Sequence, residues 1–139
     1  LTKQDPAFTV EELEEAMQKV MDQYAGGIGT HYQFNEKQLA MAEEKIKKLQ
    51  ILAKGLAAAD MHELMFIYEL KERLTVCLTV IAHLRARKET RWHSFAENLD
   101  YPEKSDAWLC YVNSKKNGDQ ITMIRRDLVK GGETYEHRD

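Results

Sequence analysis

Leu74-Thr75-Val76-Cys77-Leu78-Thr79-Val80-Ile81-Ala82-His83-Leu84 is the stretch on which the fold turns. No Asp, Glu, Lys or Arg interrupts it. A helix that is apolar almost all round is buried on more than one side. Read backwards, the same helix starts near Asp60, with Glu63 three residues on in a capping-box pattern. Ile67, Leu70, Leu74, Cys77, Ile81 and Leu84 then recur at alternating spacings of three and four. Read forwards, the rod delivers a dense charge cluster, Arg87-Lys88-Glu89-Thr90-Arg91-Trp92.

Two further helices share this grammar. One starts at Thr9, with Glu12 completing the box, and places Leu13, Met17, Val20 and Tyr24 on one side. Gly26 and Gly27 end it. The other starts near Asn35, with Gln38 in the box, and repeats Leu39, Ala42, Ile46, Leu49, Ala53 and Leu56 as a coiled-coil-like seam. Gly55 weakens its last turn.

Three long amphipathic helices with short links predict a mainly α protein: an antiparallel, spectrin-like three-helix bundle over residues 1–92. Residues 93–129 read as an extended segment and a β-hairpin packed on the bundle. Asp100-Tyr101-Pro102 is extended or turn. Trp108-Leu109-Cys110-Tyr111-Val112 and Ile121-Thr122-Met123-Ile124 have strand composition, with Asn117-Gly118 as the turn signal between them. A lone two-strand ribbon is marginal in water, so it must lean on the bundle. Residues 130–139 are polar and expected to fray. Val76, Leu78 and Val80 lie off the seam, and either the hairpin or a partner domain must cover them.

Composition narrows the function. At 139 residues the chain is one domain, or one domain with a tail. A net charge of -3 gives no global field for nucleic acid. No apolar run reaches the roughly 18–20 residues that would cross a bilayer. Cys77 and Cys110 are the only cysteines, too few for a four-thiolate iron–sulfur site or a disulfide framework. Reduced thiols fit a cytoplasmic setting, extended to the inner face of a membrane if partners carry the chain there. A start at Leu1 without Met is expected of a processed chain or a cut-out domain.

Gly26-Gly27-Ile28-Gly29 invites a phosphate-loop reading, but it follows a helix instead of a strand and so reads as a helix stop. His31, His62, His83, His93 and His137 form no pair with metal-ligand spacing beside a carboxylate. Cys77 lies in the seam as an inert core residue. Cys110 has no adjacent His to activate it. No catalytic, cofactor-binding or metal-binding residue is assigned. Arg87, Glu89, Arg91 and Trp92 are the candidate site. Cations suit a helix C-terminus, but the interleaved Glu89 and the flat Trp92 have the composition of an interface anchor. Were the partner another domain, their ion pairs would be wet in this chain by itself.

With these residues laid out, the chain resembles the C-terminal helical domain of the fumarate reductase/succinate dehydrogenase flavoprotein family. After the third helix that family has Arg-x-Glu-Ser-Arg-Gly, then Asp and Pro, then an acidic stretch and Trp. Here Arg87-Lys88-Glu89-Thr90-Arg91-Trp92, Asp100-Tyr101-Pro102 and Ser105-Asp106-Ala107-Trp108 stand in that order. Thr90 and Trp92 depart from the fumarate reductase form and are similar to the adenylylsulfate reductase alpha subunits of the same family. So are Met21-Asp22-Gln23-Tyr24-Ala25-Gly26-Gly27, Asp60-Met61-His62-Glu63-Leu64 and Val112-Asn113-Ser114. His93-Ser94-Phe95-Ala96 replace the Pro-Gly and aromatic run usual there.

The resemblance implies a piece of an oxidoreductase. FAD and substrate would sit on other domains of the same subunit, and iron–sulfur clusters on a partner subunit. This piece would hold no cofactor, and would dock against the FAD and capping domains without chemistry of its own. The alternative is a free-standing three-helix protein-interaction module.

Overall fold

A computed structural model describes residues 8–91, 95–118 and 120–128. The expectations for Trp92 and for the 130–139 tail therefore fall outside the described residues.

The three expected helices form where their caps predict. They are α1 (Val10–Tyr24), α2 (Glu36–Lys54) and α3 (Met61–Ala86). Each N-cap side chain accepts from the backbone N–H three residues on: Glu12 to Thr9 at 3.2 Å, Gln38 to Asn35 at 2.8 Å, Glu63 to Asp60 at 2.8 Å. Each bond satisfies one of the N–H groups that a helix start leaves orphaned. The start of α2 has a second acceptor from far along the chain. Asp100 Oδ2 takes the N–H of Glu36 at 2.7 Å, placing a carboxylate at the positive end of the helix.

The seams meet in one core. Leu13 and Met17 of α1, Leu39, Ala42, Ile46, Leu49 and Ala53 of α2, and Leu70, Leu74 and Ile81 of α3 are buried together, and Ile67 of α3 is buried as well. Leu84, Leu56 and Cys77 pack half-buried around it. Arg85, at the end of α3, donates from Nε to Glu36 at the start of α2 at 2.9 Å, so these helices run opposite ways. Val10 of α1 lies beside Leu56, past the end of α2, and Ile67 near the start of α3. The bundle is therefore up-down-up.

The long α1–α2 link is ordered. Ile28–Thr30 make one 3₁₀ turn, and Gln33–Phe34 form a short strand, β1. β1 pairs in parallel with β2 (Glu97–Asn98), in the register Gln33↔Glu97 and Phe34↔Asn98. The pairing buries Phe34 and ties the link to the segment after α3. His31 and Tyr32 both take left-handed backbone, at φ 53° and 61°, which is uncommon for residues other than glycine.

The C-terminal hairpin joins β3 (Cys110–Asn117) to β4 (Gln120–Asp127). Two details correct the sequence reading. Trp108 is not in the strand but ends a 3₁₀ turn, Asp106–Trp108, capped by Ser105. Its ring is covered by the Arg125 guanidinium at 4.0 Å, while Arg125 also donates to the Ala107 carbonyl. The tight turn also falls one residue later than Asn117-Gly118, because Asn117 pairs with Gln120. Gly118 takes the positive φ of 63° that such a turn needs.

The hairpin does lean on the bundle. Ile121 and Met123 face Leu78 and Ala82 of α3 across a cleft of about 800 Å³. Leu78 is half-buried and packs against the core, but Val76 stays 59% and Val80 41% exposed. No helix among the described residues is long and apolar enough to cross a membrane.

Candidate functional site

α3 ends where Arg87 turns extended, at φ -85° and ψ 104°. The chain then runs as loop through Arg91, and Glu89 and Thr90 within it are buried. A buried loop has no ladder of its own, so side chains and distant backbone must satisfy its polar groups.

Glu89 is the hub. Its carboxylate accepts from Arg87 Nη1 at 2.6 Å, Arg91 Nε at 2.8 Å, Arg91 Nη2 at 2.9 Å and the Ser105 N–H at 3.0 Å. The Arg91 pair is bidentate, the geometry in which a guanidinium grips a carboxylate best. Each Arg also reaches backbone. Arg87 donates to the Trp108 carbonyl at 2.6 Å and the Cys110 carbonyl at 2.7 Å, and Arg91 to the Ser105 carbonyl at 3.1 Å. The knot thus clamps residues 87–91 onto 105–110 and fixes where the hairpin begins.

Thr90 forms the other side of this clamp. Its hydroxyl donates to the Tyr101 carbonyl at 2.8 Å and accepts from the Asn98 N–H at 3.0 Å. Its own N–H donates to the Glu103 carbonyl at 3.1 Å. What the position uses is a buried hydroxyl, which serine supplies as well as threonine.

Burial raises the Glu89 pKa, but hydrogen bonds from Arg91, the Ser105 N–H and Arg87 outweigh it and leave the carboxyl below its ordinary value. At neutral pH Glu89 is therefore ionised and saturated with donors. It is an anchor, not a proton donor or base. The expectation that these pairs are wet in this chain alone is corrected here. Glu89 is 3% exposed, because its partners lie within the chain. The structure brings Arg87, Glu89 and Arg91 together; Trp92 lies outside the described residues.

A second ionic set rims the cleft between α2, α3 and the hairpin. Arg85 pairs with Glu36 and Glu43, and Lys47 donates to Glu43 at 2.7 Å. The Lys47 hydrogen bond, with the Arg85 charge, holds Glu43 below the usual carboxylate value against a smaller opposing effect of burial. Leu39, Leu78, Ile121 and Met123 contribute the apolar part of the lining.

The glycine turn after α1 wraps around Asp22. Gly29 N–H donates to Asp22 Oδ1 at 2.9 Å, and a Cβ on Gly29 would lie 2.6 Å from Asp22 Oδ2. A carboxylate occupies the place that a phosphate would need, in keeping with a helix stop. Burial pushes the Cys77 thiol up, away from the reactive thiolate. His62 packs edge-on against Phe66 at 4.7 Å. Among the described residues no group of three or more His, Cys, Asp or Glu could hold a metal ion.

Four matches to known proteins bear on this arrangement. The family model described as fumarate reductase flavoprotein C-term matches residues 14–134. The alpha subunit of adenylylsulfate reductase from Megalodesulfovibrio gigas is 34% identical over 98 residues, covering 70% of this chain and 15% of that subunit. Adenylylsulfate reductase from the hyperthermophilic Archaeoglobus fulgidus superposes with a TM-score of 0.87 at 36% identity, over 96% of this chain and 21% of that one. An adenosine-5-phosphosulfate reductase solved as a covalent adduct with sulfite gives a TM-score of 0.87 at 36% identity, over 95% of this chain and 21% of that chain. The chain thus spans about a fifth or less of each relative's length. With motif order, fold and sequence in agreement, the chain belongs to the fumarate reductase flavoprotein C-terminal family.

Proposed function

We propose that this chain works as the helical C-terminal domain of a FAD-dependent oxidoreductase subunit, of adenylylsulfate reductase or fumarate reductase/succinate dehydrogenase type. The family match along nearly the whole chain carries the reading. FAD and substrate would be held by the remainder of the polypeptide, and electrons would pass through an iron–sulfur partner subunit. The working place is the cytoplasm, at the inner face of a membrane where partners hold the assembly there.

The role of this domain is architectural. The Arg87–Glu89–Arg91 knot spends its charges on Ser105, Trp108 and Cys110, so it supplies rigidity, not an open catalytic group. It holds the end of α3 and the start of the hairpin in one fixed relation, with Trp92 next to it in sequence. That fixed corner is what the FAD and capping domains would dock against.

The test is to purify the native gene product that contains this chain. A polypeptide several hundred residues longer, with flavin absorbance that survives gel filtration, supports the proposal. A colourless product of this chain's own length would overturn it in favour of a free-standing interaction module.

A further inference from the structure

The bundle and the hairpin are held in different ways. The bundle is closed by apolar side chains spread over all three helices, with Leu13, Leu39, Ile46, Leu74 and Ile81 none more than 1% exposed. The hairpin has no such core: among the described residues of β3 and β4 none is buried. Its inward residues Ile121 and Met123 line the cleft on α3 without filling it. Atoms that face a gap forgo the contacts close packing gives. What holds the hairpin is polar and gathered at its base. Arg87 donates to the Trp108 and Cys110 carbonyls, Arg91 to the Ser105 carbonyl, and the Ser105 N–H to Glu89. Both guanidinium groups are aimed by that same carboxylate, whose side chain is fully buried. Thr90, one residue on, uses only neutral groups to hold Asn98, Tyr101 and Glu103. The attachment before Ser105 therefore survives loss of the Glu89 charge, and the attachment from Ser105 onward does not. Lys104, exposed and between the two, is the hinge position.

We propose that the β3–β4 hairpin is a strap latched at Glu89: it opens from the bundle as one unit when that carboxylate loses its charge, while α1, α2 and α3 stay folded. An apolar core spread over three helices has no single group whose neutralisation opens it, whereas the hairpin's base depends on one. Of the groups around Glu89, Arg87 and Arg91 come from its own loop and His83 from α3. The short strand β1 and β3 contribute Phe34 and Val112, which do not titrate. Burial raises the Glu89 pKa, but its donors lower it further, so the latch is shut above the ordinary carboxylate value and opens as pH falls through the lowered one. Once away from the bundle, a lone two-strand ribbon is marginal in water, so its amides lose their protection.

The test is hydrogen–deuterium exchange of the full-length gene product, read by mass spectrometry on peptides of β3 and β4 and on peptides of α3. The parent is compared with Glu89→Gln and His83→Gln. At neutral pH, Glu89→Gln is expected to label the hairpin at least roughly tenfold faster than the parent does, with α3 still protected when the hairpin is fully labelled. The parent should show the same split in acid, once the pH dependence of free-amide exchange is divided out, and His83→Gln should behave as the parent. Hairpin and α3 losing protection together in Glu89→Gln would show one cooperative unit and overturn the proposal. A hairpin as protected in Glu89→Gln as in the parent would overturn it too. Release of the hairpin by His83→Gln at neutral pH would put the switch at His83, against the proposal. If Glu89→Gln does not fold, the acid series of the parent decides alone: the hairpin opening first supports the latch, and both parts opening at once refutes it.

Discussion

Replacing Glu89 with Gln removes one charge and almost no volume, so it isolates the electrostatics of the knot. Glu89 accepts four hydrogen bonds, three of them from guanidinium groups. In glutamine one oxygen becomes an NH₂ that must face donors, and two arginines lose their counter-charge. Breaking a buried ion pair by removing one partner costs about 3–5 kcal/mol. The Glu89 side chain is fully buried, but those of Arg87 and Arg91 keep 28% and 19% exposure and can regain some water. The expected loss for Glu89→Gln is therefore about 2–4 kcal/mol. In a domain of this size that lowers Tm by on the order of 10 °C. Urea titration followed by far-UV circular dichroism reads the change directly. The Glu89 pKa is lowered in the fold, so its contribution is fully present above the ordinary carboxylate value, about 4.3. That contribution is lost as pH falls through the lowered folded value, and Glu89→Gln should flatten this acid limb. A loss below about 0.5 kcal/mol with an unchanged acid limb would mean the knot is as weak as an exposed pair, and the reasoning fails.

Other expectations follow from the same structure. Thr90→Val should cost about 1–3 kcal/mol by orphaning the Asn98 N–H and the Tyr101 carbonyl, whereas Thr90→Ser should stay close to the parent in the same titration. Leu74→Ala or Ile81→Ala should each cost about 2–5 kcal/mol, while Val80→Ser in this chain alone costs well under that; equal losses at Ile81 and Val80 would show that both faces are already buried. Gly29→Ala should destabilise, because the new methyl would press on Asp22. Gly55→Ala, with its nearest neighbour the Leu52 carbonyl at 3.5 Å and no positive φ, should be neutral or slightly stabilising by comparison in thermal melts.

The helices were legible because their determinants are local. A cap, a box residue and a seam such as Leu39-Ala42-Ile46-Leu49 lie within a few turns of one another, and all three starts stand where Thr9, Asn35 and Asp60 put them. The hairpin was legible in kind but not in register. A turn dipeptide marks a reversal without saying which pair closes the ladder, and Trp108 is held out of the strand by Ser105 and Arg125. The β1–β2 pairing was invisible, since two residues at each end of a 64-residue separation carry no pattern. Asp100 on the start of α2 is equally remote, although its Asp-x-Pro setting marked a turn that could have prompted the question. The Arg87, Glu89 and Arg91 cluster was legible as a unit. That its partners lie inside the chain was not, because most of them are backbone groups of Ser105, Trp108 and Cys110.

Arg91→Lys in the full-length gene product is the most direct measurement of whether this domain serves assembly. A lysine ammonium cannot hold both Glu89 oxygens and the Ser105 carbonyl with the fork that arginine offers. Yield of assembled protein, flavin content and turnover per bound flavin are read on one preparation. The account predicts less assembled, flavin-loaded protein, with turnover per bound flavin unchanged. Normal assembly and flavin content with a collapse of turnover per flavin would place Arg91 in the chemistry and contradict it.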